Sequence, residues 1–343
     1  MIRISLIVND VEHQLDILPR HAGTTRRTNQ REARCDTPCD KSCAAYDHDM
    51  RAAFLAIALW LVAVDAAFAA PVGYAHQLSH SITDSPSPSP DGKRMVYIVV
   101  VAGVEQLFVA NLDGTKPVQL TRDPYDHEDP AWSPDGARIA YVAMADGGEV
   151  IATMDPDGTH VEMLTPKTQK VIHPNWSPDS KKLAYCTDDD LKPPAKNASD
   201  IFILDLASRR ATKVITGGVN TYPAFSPDGK RFAFRRILGE LNSEVFVADI
   251  DGSHQKNITN HPAFDGWPSW SPDGSRIAFA SNRYSSYEIF TMKPDGSDLQ
   301  HVANTDGRAT APQWTKDGST LLFPICHNVA LGHDCEIYTA AAR

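Results

Sequence analysis

The stretch Trp270-Ser271-Pro272-Asp273-Gly274 occurs six times along this chain with small variations, and it decides the fold. The other copies are Ser89-Pro90-Asp91-Gly92, Trp132-Ser133-Pro134-Asp135-Gly136, Trp176-Ser177-Pro178-Asp179-Ser180, Phe225-Ser226-Pro227-Asp228-Gly229 and Trp314-Thr315-Lys316-Asp317-Gly318. From one copy to the next, the Ser or Thr of the motif recurs after 44, 44, 49, 45 and 44 residues. A repeat of about 40–45 residues is typical of the four-stranded blade of a β-propeller.

Each copy contains the parts of one blade. The S-P-D-G run predicts a type I turn, because Pro presets the backbone angle at the second position and Gly closes the turn. A strand of alternating polar and apolar residues follows, as in Arg276-Ile277-Ala278-Phe279. A third strand begins at Glu288-Ile289-Phe290, and the hairpin turn Asp295-Gly296 leads to a fourth. Six such units predict an all-β protein, a six-bladed β-propeller of four-stranded antiparallel blades.

The two ends of the chain hold complementary parts of one blade. The last copy stops after Glu336-Ile337-Tyr338-Thr339, with three predicted strands and no fourth. A surplus strand, Tyr74-Ala75-His76-Gln77-Leu78-Ser79, precedes the first copy. We expect this mature N-terminal strand to complete the last blade, which closes the ring and leaves no open sheet edge.

The segment before the repeats has the pattern of a secretory signal peptide. Met50-Arg51 is followed by thirteen apolar residues, Ala52 to Val64, and then by the small-x-small site Ala67-Phe68-Ala69. The alternative is an uncleaved signal anchor. Residues 1–49 lack sustained periodicity, and we interpret them as disordered, or as an artefact of a gene that starts at Met50.

These patterns divide the chain into three parts. They are the disordered or mis-annotated extension 1–49, the signal peptide 50–69 and the propeller 70–343. The formal charge of -10 is spread along the chain without a basic stripe, so neither nucleic acid nor an anionic membrane is an expected partner. Cys326 and Cys335 bracket a loop between two predicted strands, where a disulfide could staple the hairpin in an oxidising compartment. Two unpaired thiols are the alternative.

The residues before each repeat proline are the candidate binding residues. In a propeller, the chain crosses one face near the central channel as it passes from one blade to the next, so these positions surround a shared mouth. They vary between copies, whereas the scaffold does not. The candidates are Asp126, His127, Glu128, Asp129, His173, Tyr222, Asp265, Trp267 and Arg308. Aromatic, acidic and Arg side chains suit the docking of a protein or a small ligand. An ordinary polar rim is the alternative.

A metal site at this mouth is a weaker hypothesis. His127, Glu128, Asp129 and His173 have ligand types that suit a divalent ion, but only their expected proximity supports such a site. We therefore predict no metal, no cofactor and no catalytic residue, and keep His127 and His173 as weak metal candidates.

The unit P-x-W-S-P-D-G-x-x-I-A-F…E-I-F-x-M…D-G…L-T resembles the WD40-like repeat of the TolB β-propeller family. The similarity covers residues 73–343 and is strongest from Trp270 to Met292. It implies a six-bladed propeller that is exported to the bacterial periplasm, where TolB works with the Tol–Pal system and contacts a peptidoglycan-associated lipoprotein. TolB carries an α/β domain before its propeller. Here only a few residues separate the predicted cleavage site from the closing strand, so we expect a stand-alone propeller.

The function predicted from this resemblance is that of a binding scaffold. We expect a monomeric periplasmic or secreted protein without enzymatic activity, which has no membrane span after signal cleavage. Its partner would be an envelope protein such as a peptidoglycan-associated lipoprotein. The alternative is a carbohydrate-binding protein or a metal-dependent sugar-acid lyase that uses the same mouth, since some such lyases are built on related propellers. A serine peptidase is excluded, because the chain has no G-x-S-x-G nucleophile turn.

Overall fold

The computed structural model describes residues 2–8, 11–17, 75–77, 83–145, 148–187, 198–239, 242–303, 305–327 and 334–342. The chain divides into two compact units, Met1–Ala66 and Ala67–Arg343. The described part of the first unit is an antiparallel hairpin of β1 (Ile2–Val8) and β2 (Val11–Ile17). Residues 18–49 and the predicted signal peptide 50–69 lie outside the described residues. The interpretation of residues 1–49 as an extension that is disordered or mis-annotated, and the position of the cleavage site, therefore stay predictions.

The second unit consists of antiparallel sheets, one for each sequence repeat. It begins with the short strand β3 (His76–Gln77). Blade 1 contains β4 (Thr83–Pro88), β5 (Arg94–Val101), β6 (Val104–Asn111) and β7 (Val118–Gln119). Blade 2 contains β8 (His127–Trp132), β9 (Ile139–Ala145), β10 (Gly148–Met154) and β11 (Glu162–Met163). Blade 3 contains β12 (Val171–Trp176), β13 (Lys182–Thr187), β14 (Ile201–Asp205) and β15 (Arg210–Ile215).

The remaining blades repeat this order. Blade 4 contains β16 (Val219–Phe225), β17 (Arg231–Gly239), β18 (Asn242–Asp249) and β19 (Lys256–Asn257). Blade 5 contains β20 (Asp265–Trp270), β21 (Ile277–Ser281), β22 (Glu288–Met292) and β23 (Gln300–Ala303). Blade 6 contains β24 (Arg308–Ala309), β25 (Gln313–Trp314), β26 (Thr320–Cys326) and β27 (Cys335–Ala341). All regular secondary structure in the described residues is β-strand. These residues contain no helix that is long and apolar enough to span a membrane.

The N-terminal strand closes the ring. In β3, His76 and Gln77 pair with Thr339 and Tyr338 of β27, so blade 6 takes its outermost strand from the start of the propeller. The predicted all-β fold, the six four-stranded blades and this closure are confirmed. Cys326 and Cys335 occupy facing positions on β26 and β27 and form a disulfide that joins these two strands.

The repeated motif forms the turn between the first two strands of every blade. In blade 5, Ser271 Oγ donates to Asp273 at 2.6 Å and accepts the N–H of Arg276 at 2.9 Å. The N–H of Gly274 donates to the carbonyl of Ser271 at 2.8 Å, and Gly274 has a φ of 71° that favours glycine. The hydroxyl–carboxylate bond recurs in all six copies. The motif is therefore scaffold.

Neighbouring blades are linked by the motif tryptophans. The indole N–H of Trp176 donates to the carbonyl of Ala131 in blade 2 at 2.9 Å. Trp270 and Trp314 make the equivalent bonds to blades 4 and 5, at 3.1 and 3.2 Å. Apolar side chains fill the space between blades, because a single blade cannot bury its own faces. These bonds lie on the innermost strands and thereby fix the wall of the central channel.

Candidate functional site

The residue before each repeat proline has a left-handed backbone. These residues are Ser85, Asp129, His173, Tyr222, Trp267 and Ala311, with φ between 43° and 56°. The first strand of blades 1 to 5 shifts its register at this point, as between Ile172 and Asn175, and in blade 6 the strand is divided into β24 and β25. Such a bulge redirects a side chain out of the regular alternation of the sheet. We call these six residues the bulge ring.

The bulge ring lines a central cavity of about 410 Å³. Residues of all six blades contribute to its wall, so it lies on the axis of the propeller. The motif prolines Pro134, Pro178 and Pro227 also line it. The cavity thus extends from the ring towards the motif turns, and it is the place where a ligand could reach every blade.

His173 forms one side of the cavity and is held from three directions. Its backbone N–H donates to Asp129 Oδ2 at 3.1 Å, and its Nε2 lies 3.6 Å from the same oxygen. Its Nδ1 lies 3.2 Å from Cys186 Sγ, and its ring stacks on Tyr222 with centroids 3.5 Å apart. The row of carboxylate, imidazole and thiol has the residue types of a nucleophilic site. However, Cys186 is completely buried, so its thiol is not exposed to a ligand in the cavity.

On blades 4 and 5, aromatic side chains surround a buried arginine. The guanidinium of Arg235 lies 4.7 Å from the ring centroid of Tyr222, 5.1 Å from Phe264 and 5.2 Å from Trp267. Its Nε donates to a threonine hydroxyl at 2.9 Å. Arg235 is only 6% exposed, and this burial lowers its pKa. Gly266 makes room for it, because a Cβ there would lie 2.7 Å from Arg235 Cδ.

A second arginine also contacts Trp267. The guanidinium of Arg308 is 5.7 Å from the ring centroid of Trp267 and 4.6 Å from that of Tyr287. Within the part of the chain that the structure describes, neither Arg235 nor Arg308 has a carboxylate within 4.0 Å. We call Tyr222, Arg235, Phe264, Trp267, Tyr287 and Arg308 the arginine–aromatic cluster.

At the mouth, blades 1 and 2 carry carboxylates, in contrast to the two arginines of the arginine–aromatic cluster. Asp126 accepts the backbone N–H of Glu105 at 2.8 Å. Burial, followed by the negative charges of its neighbours, raises the pKa of Glu105 from 4.5 to about 7. We call Asp84, Glu105, Asp126 and Asp129 the acidic cluster. Since Asp129 and Trp267 line the same cavity, the mouth has an acidic side and an arginine–aromatic side.

The structure separates the nine candidate residues into groups. Four of them line the cavity, namely Asp129, His173, Tyr222 and Trp267. Two belong to the charged clusters beside it, namely Asp126 and Arg308. The other three, His127, Glu128 and Asp265, are not among the residues that line the cavity.

Two of these three are held inside the blades. His127 is buried and its Nε2 lies 3.0 Å from the carboxylate of Asp123. Asp265 is completely buried and pairs with Arg283 at 3.0 Å. Glu128 is half-buried on β8. A strand alternates its side chains between two faces, so residues adjacent in sequence do not all reach the same cavity.

The weak metal candidates His127 and His173 each contact a different aspartate, Asp123 and Asp129. In the described ranges, one group of three potential ligands lies close together, and it consists of Asp84, Cys326 and Cys335. The two sulfurs of that group form the disulfide, and a disulfide lacks the thiolate that binds metals. The described residues therefore offer no set of ligands that would support a metal site at His127 and His173.

The prediction missed the buried arginine. Arg235 follows the aromatic residue of the second strand, where other blades have an apolar or small side chain, as at Ile98, Val142 and Ala280. A charged residue at a repeat position that is otherwise apolar or small could have identified Arg235 as a candidate site residue. Tyr287, Phe264 and Glu105 lie on other strands or loops, and the repeat pattern did not distinguish them.

The fold and the axial cavity define a closed six-bladed β-propeller whose variable residues form a ring at one face. Residues 137–331 match the PD40 family, the TolB beta propeller domain, and the chain belongs to this family. The resemblance inferred from the repeat is thereby confirmed. Comparison with curated proteins found no match.

Solved structures share the fold at low sequence identity. TolB from Acinetobacter baumannii is 20% identical with a TM-score of 0.58, over 73% of this chain and 64% of that one. The putative TolB from Agrobacterium tumefaciens is 22% identical with a TM-score of 0.58, over 78% and 97%. An oligogalacturonate lyase in complex with manganese is 16% identical with a TM-score of 0.51, over 79% and 90%. This chain therefore spans less than two thirds of the Acinetobacter protein, and these identities show the fold alone.

Proposed function

We propose that this protein is an exported scaffold of the bacterial envelope that binds a protein partner at the bulge ring. The observation that carries the proposal is the arginine–aromatic cluster beside the cavity. Trp, Tyr and Arg are the residue types that dominate binding energy at protein interfaces. Here Trp267 and Arg308 are half-buried and packed against each other, so little side-chain freedom is lost when a partner binds.

Two features support export. Residues 50–69 have the signal-peptide pattern, and the Cys326–Cys335 disulfide suits an oxidising compartment. Membership of the TolB propeller family supports a periplasmic location and an envelope partner such as a peptidoglycan-associated lipoprotein. A role within the Tol–Pal system is part of this proposal, as is the monomeric state.

A binding role agrees better with the site than a catalytic role. Cys186, whose thiol is aligned with a histidine and a carboxylate, is completely buried. His127 and His173 contact separate aspartates. A lyase or a carbohydrate-binding protein is the alternative, and the experiment below separates the two.

The proposal is tested by affinity capture from solubilised bacterial envelopes, with identification of retained proteins by mass spectrometry. We expect one envelope protein to be retained by the wild type and lost with Trp267→Ala. Met163→Ala is the matched control, because Met163 is an exposed apolar side chain on the outer strand of blade 2. Thermal unfolding of each variant verifies that it is folded. Retention of no envelope protein, together with one bound metal ion per chain or with binding of galacturonate oligomers, would refute the proposal.

A further inference from the structure

We propose that the mouth recognises an acidic side chain of a polypeptide, whose carboxylate pairs with Arg308 beside Trp267. This inference rests on the proposed function and names the chemistry of the partner segment. Arg308 supplies the direct contact, and Arg235 supplies a second positive charge near the same ring. The acidic cluster across the cavity accepts a basic group of the same segment.

The first argument is the lack of a counter-charge. Two other arginines of the propeller, by contrast, pair with carboxylates, Arg283 with Asp265 at 3.0 Å and Arg276 with Asp298 at 2.8 Å. Arg235 is 6% exposed, and among the described residues its one hydrogen-bond acceptor is a neutral threonine hydroxyl. The Nε of Arg308 is buried and has no hydrogen-bond partner in the part of the chain that the structure describes. A charge removed from water without a partner is unfavourable, so a ligand carboxylate that arrives here gains more than it would at an exposed arginine.

The second argument is geometric. The ring of Trp267 lies 5.2 Å from one guanidinium carbon and 5.7 Å from the other, and it also lines the cavity. A carboxylate placed at this part of the wall is therefore close to both positive charges. The planar guanidinium of Arg308 can bind it through two parallel N–H bonds. Tyr287 packs on Arg308 and restricts its orientation.

The third argument concerns the occupant. An acidic polysaccharide such as polygalacturonate carries a carboxylate on every sugar unit, so a chain of it that reached Arg308 would also place negative charge near Asp129 and Glu105. That arrangement is repulsive. A polypeptide can carry an acidic and a basic side chain at different positions and so complement both sides of the cavity. The charge pattern of the mouth therefore favours a polypeptide over a polyanion.

The test begins with random peptides displayed on phage and selected on the full chain. The strongest binder is synthesised with blocked termini, and its dissociation constant is measured by fluorescence anisotropy. We expect an acidic residue at a fixed position, whose replacement by the matching amide weakens binding about tenfold. Arg308→Gln should weaken it equally, and Arg308→Lys should restore part of it. Arg210→Gln is the control, because Arg210 is exposed on the outer strand of blade 3.

If the inference is correct, Arg308→Gln and the amide substitution in the peptide remove the same contact. With Arg308→Gln, replacing the acidic residue of the peptide should have no further effect, which is a double-mutant cycle. Because the peptide substitution needs no altered protein, the test holds even where a variant unfolds. Peptides that bind at the mouth without an acidic residue would overturn this inference and leave the proposed function standing. Competition of the peptide by galacturonate oligomers that bind through Arg308 would overturn both.

Discussion

The bonds between motif tryptophans and the preceding blade give a direct test of how the ring is held together. In Trp176→Phe, the aromatic ring stays and the indole N–H is removed. That N–H donates to the carbonyl of Ala131 in blade 2 at 2.9 Å. The substitution is compatible with the fold, because Phe225 already occupies the equivalent position in blade 4.

The expected loss follows from this geometry. Trp176 is 6% exposed and Ala131 is half-buried, so the carbonyl that loses its donor is partly shielded from water. Loss of one neutral hydrogen bond lowers the free energy of unfolding by about 1 kcal/mol, and an unsatisfied buried partner can raise this to roughly 2–3 kcal/mol. In a protein of this size, 1 kcal/mol corresponds to about 2–4 °C in the melting temperature. We therefore expect Trp176→Phe to melt about 2–12 °C lower.

The assay is thermal and urea unfolding of the purified protein, followed by circular dichroism. Trp132→Phe is the matched control, because the indole N–H of Trp132 points to the carbonyl of Gly136 in its own turn at 3.4 Å. The same chemical change there removes a weak hydrogen bond within one blade and leaves an aromatic ring in contact with Arg94. Equal losses for Trp132→Phe and Trp176→Phe would refute the reasoning, since ring size rather than the inter-blade bond would then explain both.

Three further changes test other parts of the structure. In Gly252→Ala, the new Cβ would overlap the backbone oxygen of Val214, so the free energy of unfolding measured with urea should fall by roughly 3 kcal/mol or more. Gly217 is the control, because it has a similar positive φ but a Cβ there would meet no atom within 4 Å. Gly217→Ala should lower the free energy of unfolding by only about 1–2 kcal/mol. The pKa of Glu105 is raised from 4.5 to about 7, so the folded state binds more protons in this range and stability falls as the pH rises from 4.5 through 7. Glu105→Gln should flatten this dependence and be more stable at pH 8 by roughly 1–2 kcal/mol after solvent screening; an unchanged pH profile would contradict it. Cys335→Ser removes a disulfide between residues nine positions apart, and calorimetry should show that the free energy of unfolding falls by about 2–3 kcal/mol. A reducing agent should lower the stability of the wild type by the same amount.

The blade architecture was predictable because its determinants are local. Ser271, Asp273 and Gly274 make their bonds within a few residues of each other, and the same bonds appear wherever the letters recur. The closure was predictable for a related reason, since a missing strand at one end and a surplus strand at the other leave one consistent arrangement. The structure pairs His76 and Gln77 with β27, within the stretch assigned to this role.

The site was only partly predictable, because it depends on which face each side chain takes. The segment from Asp126 to Asp129 was treated as one group, yet only Asp129 lines the cavity. Its position just before the proline at the bulge explains the difference. Arg235 could not be placed from the repeat, because it reaches Trp267 from the second strand of a different blade. That contact exists only after neighbouring blades pack.

The backbone of the bulge ring supports the view that its side chains matter. All six positions have a left-handed φ, which glycine adopts without strain and other residues adopt at a cost of order 1 kcal/mol each. If the bulge were needed only to shape the sheet, glycine would serve at every position, as it does at Gly274 in the motif turn. Asp129 and His173 are residue types that tolerate this conformation, whereas the bulky Tyr222 and Trp267 are unusual in it. The chain thus accepts a left-handed backbone at the two bulky aromatic residues that line the cavity and contact Arg235, which is where the partner is expected to bind.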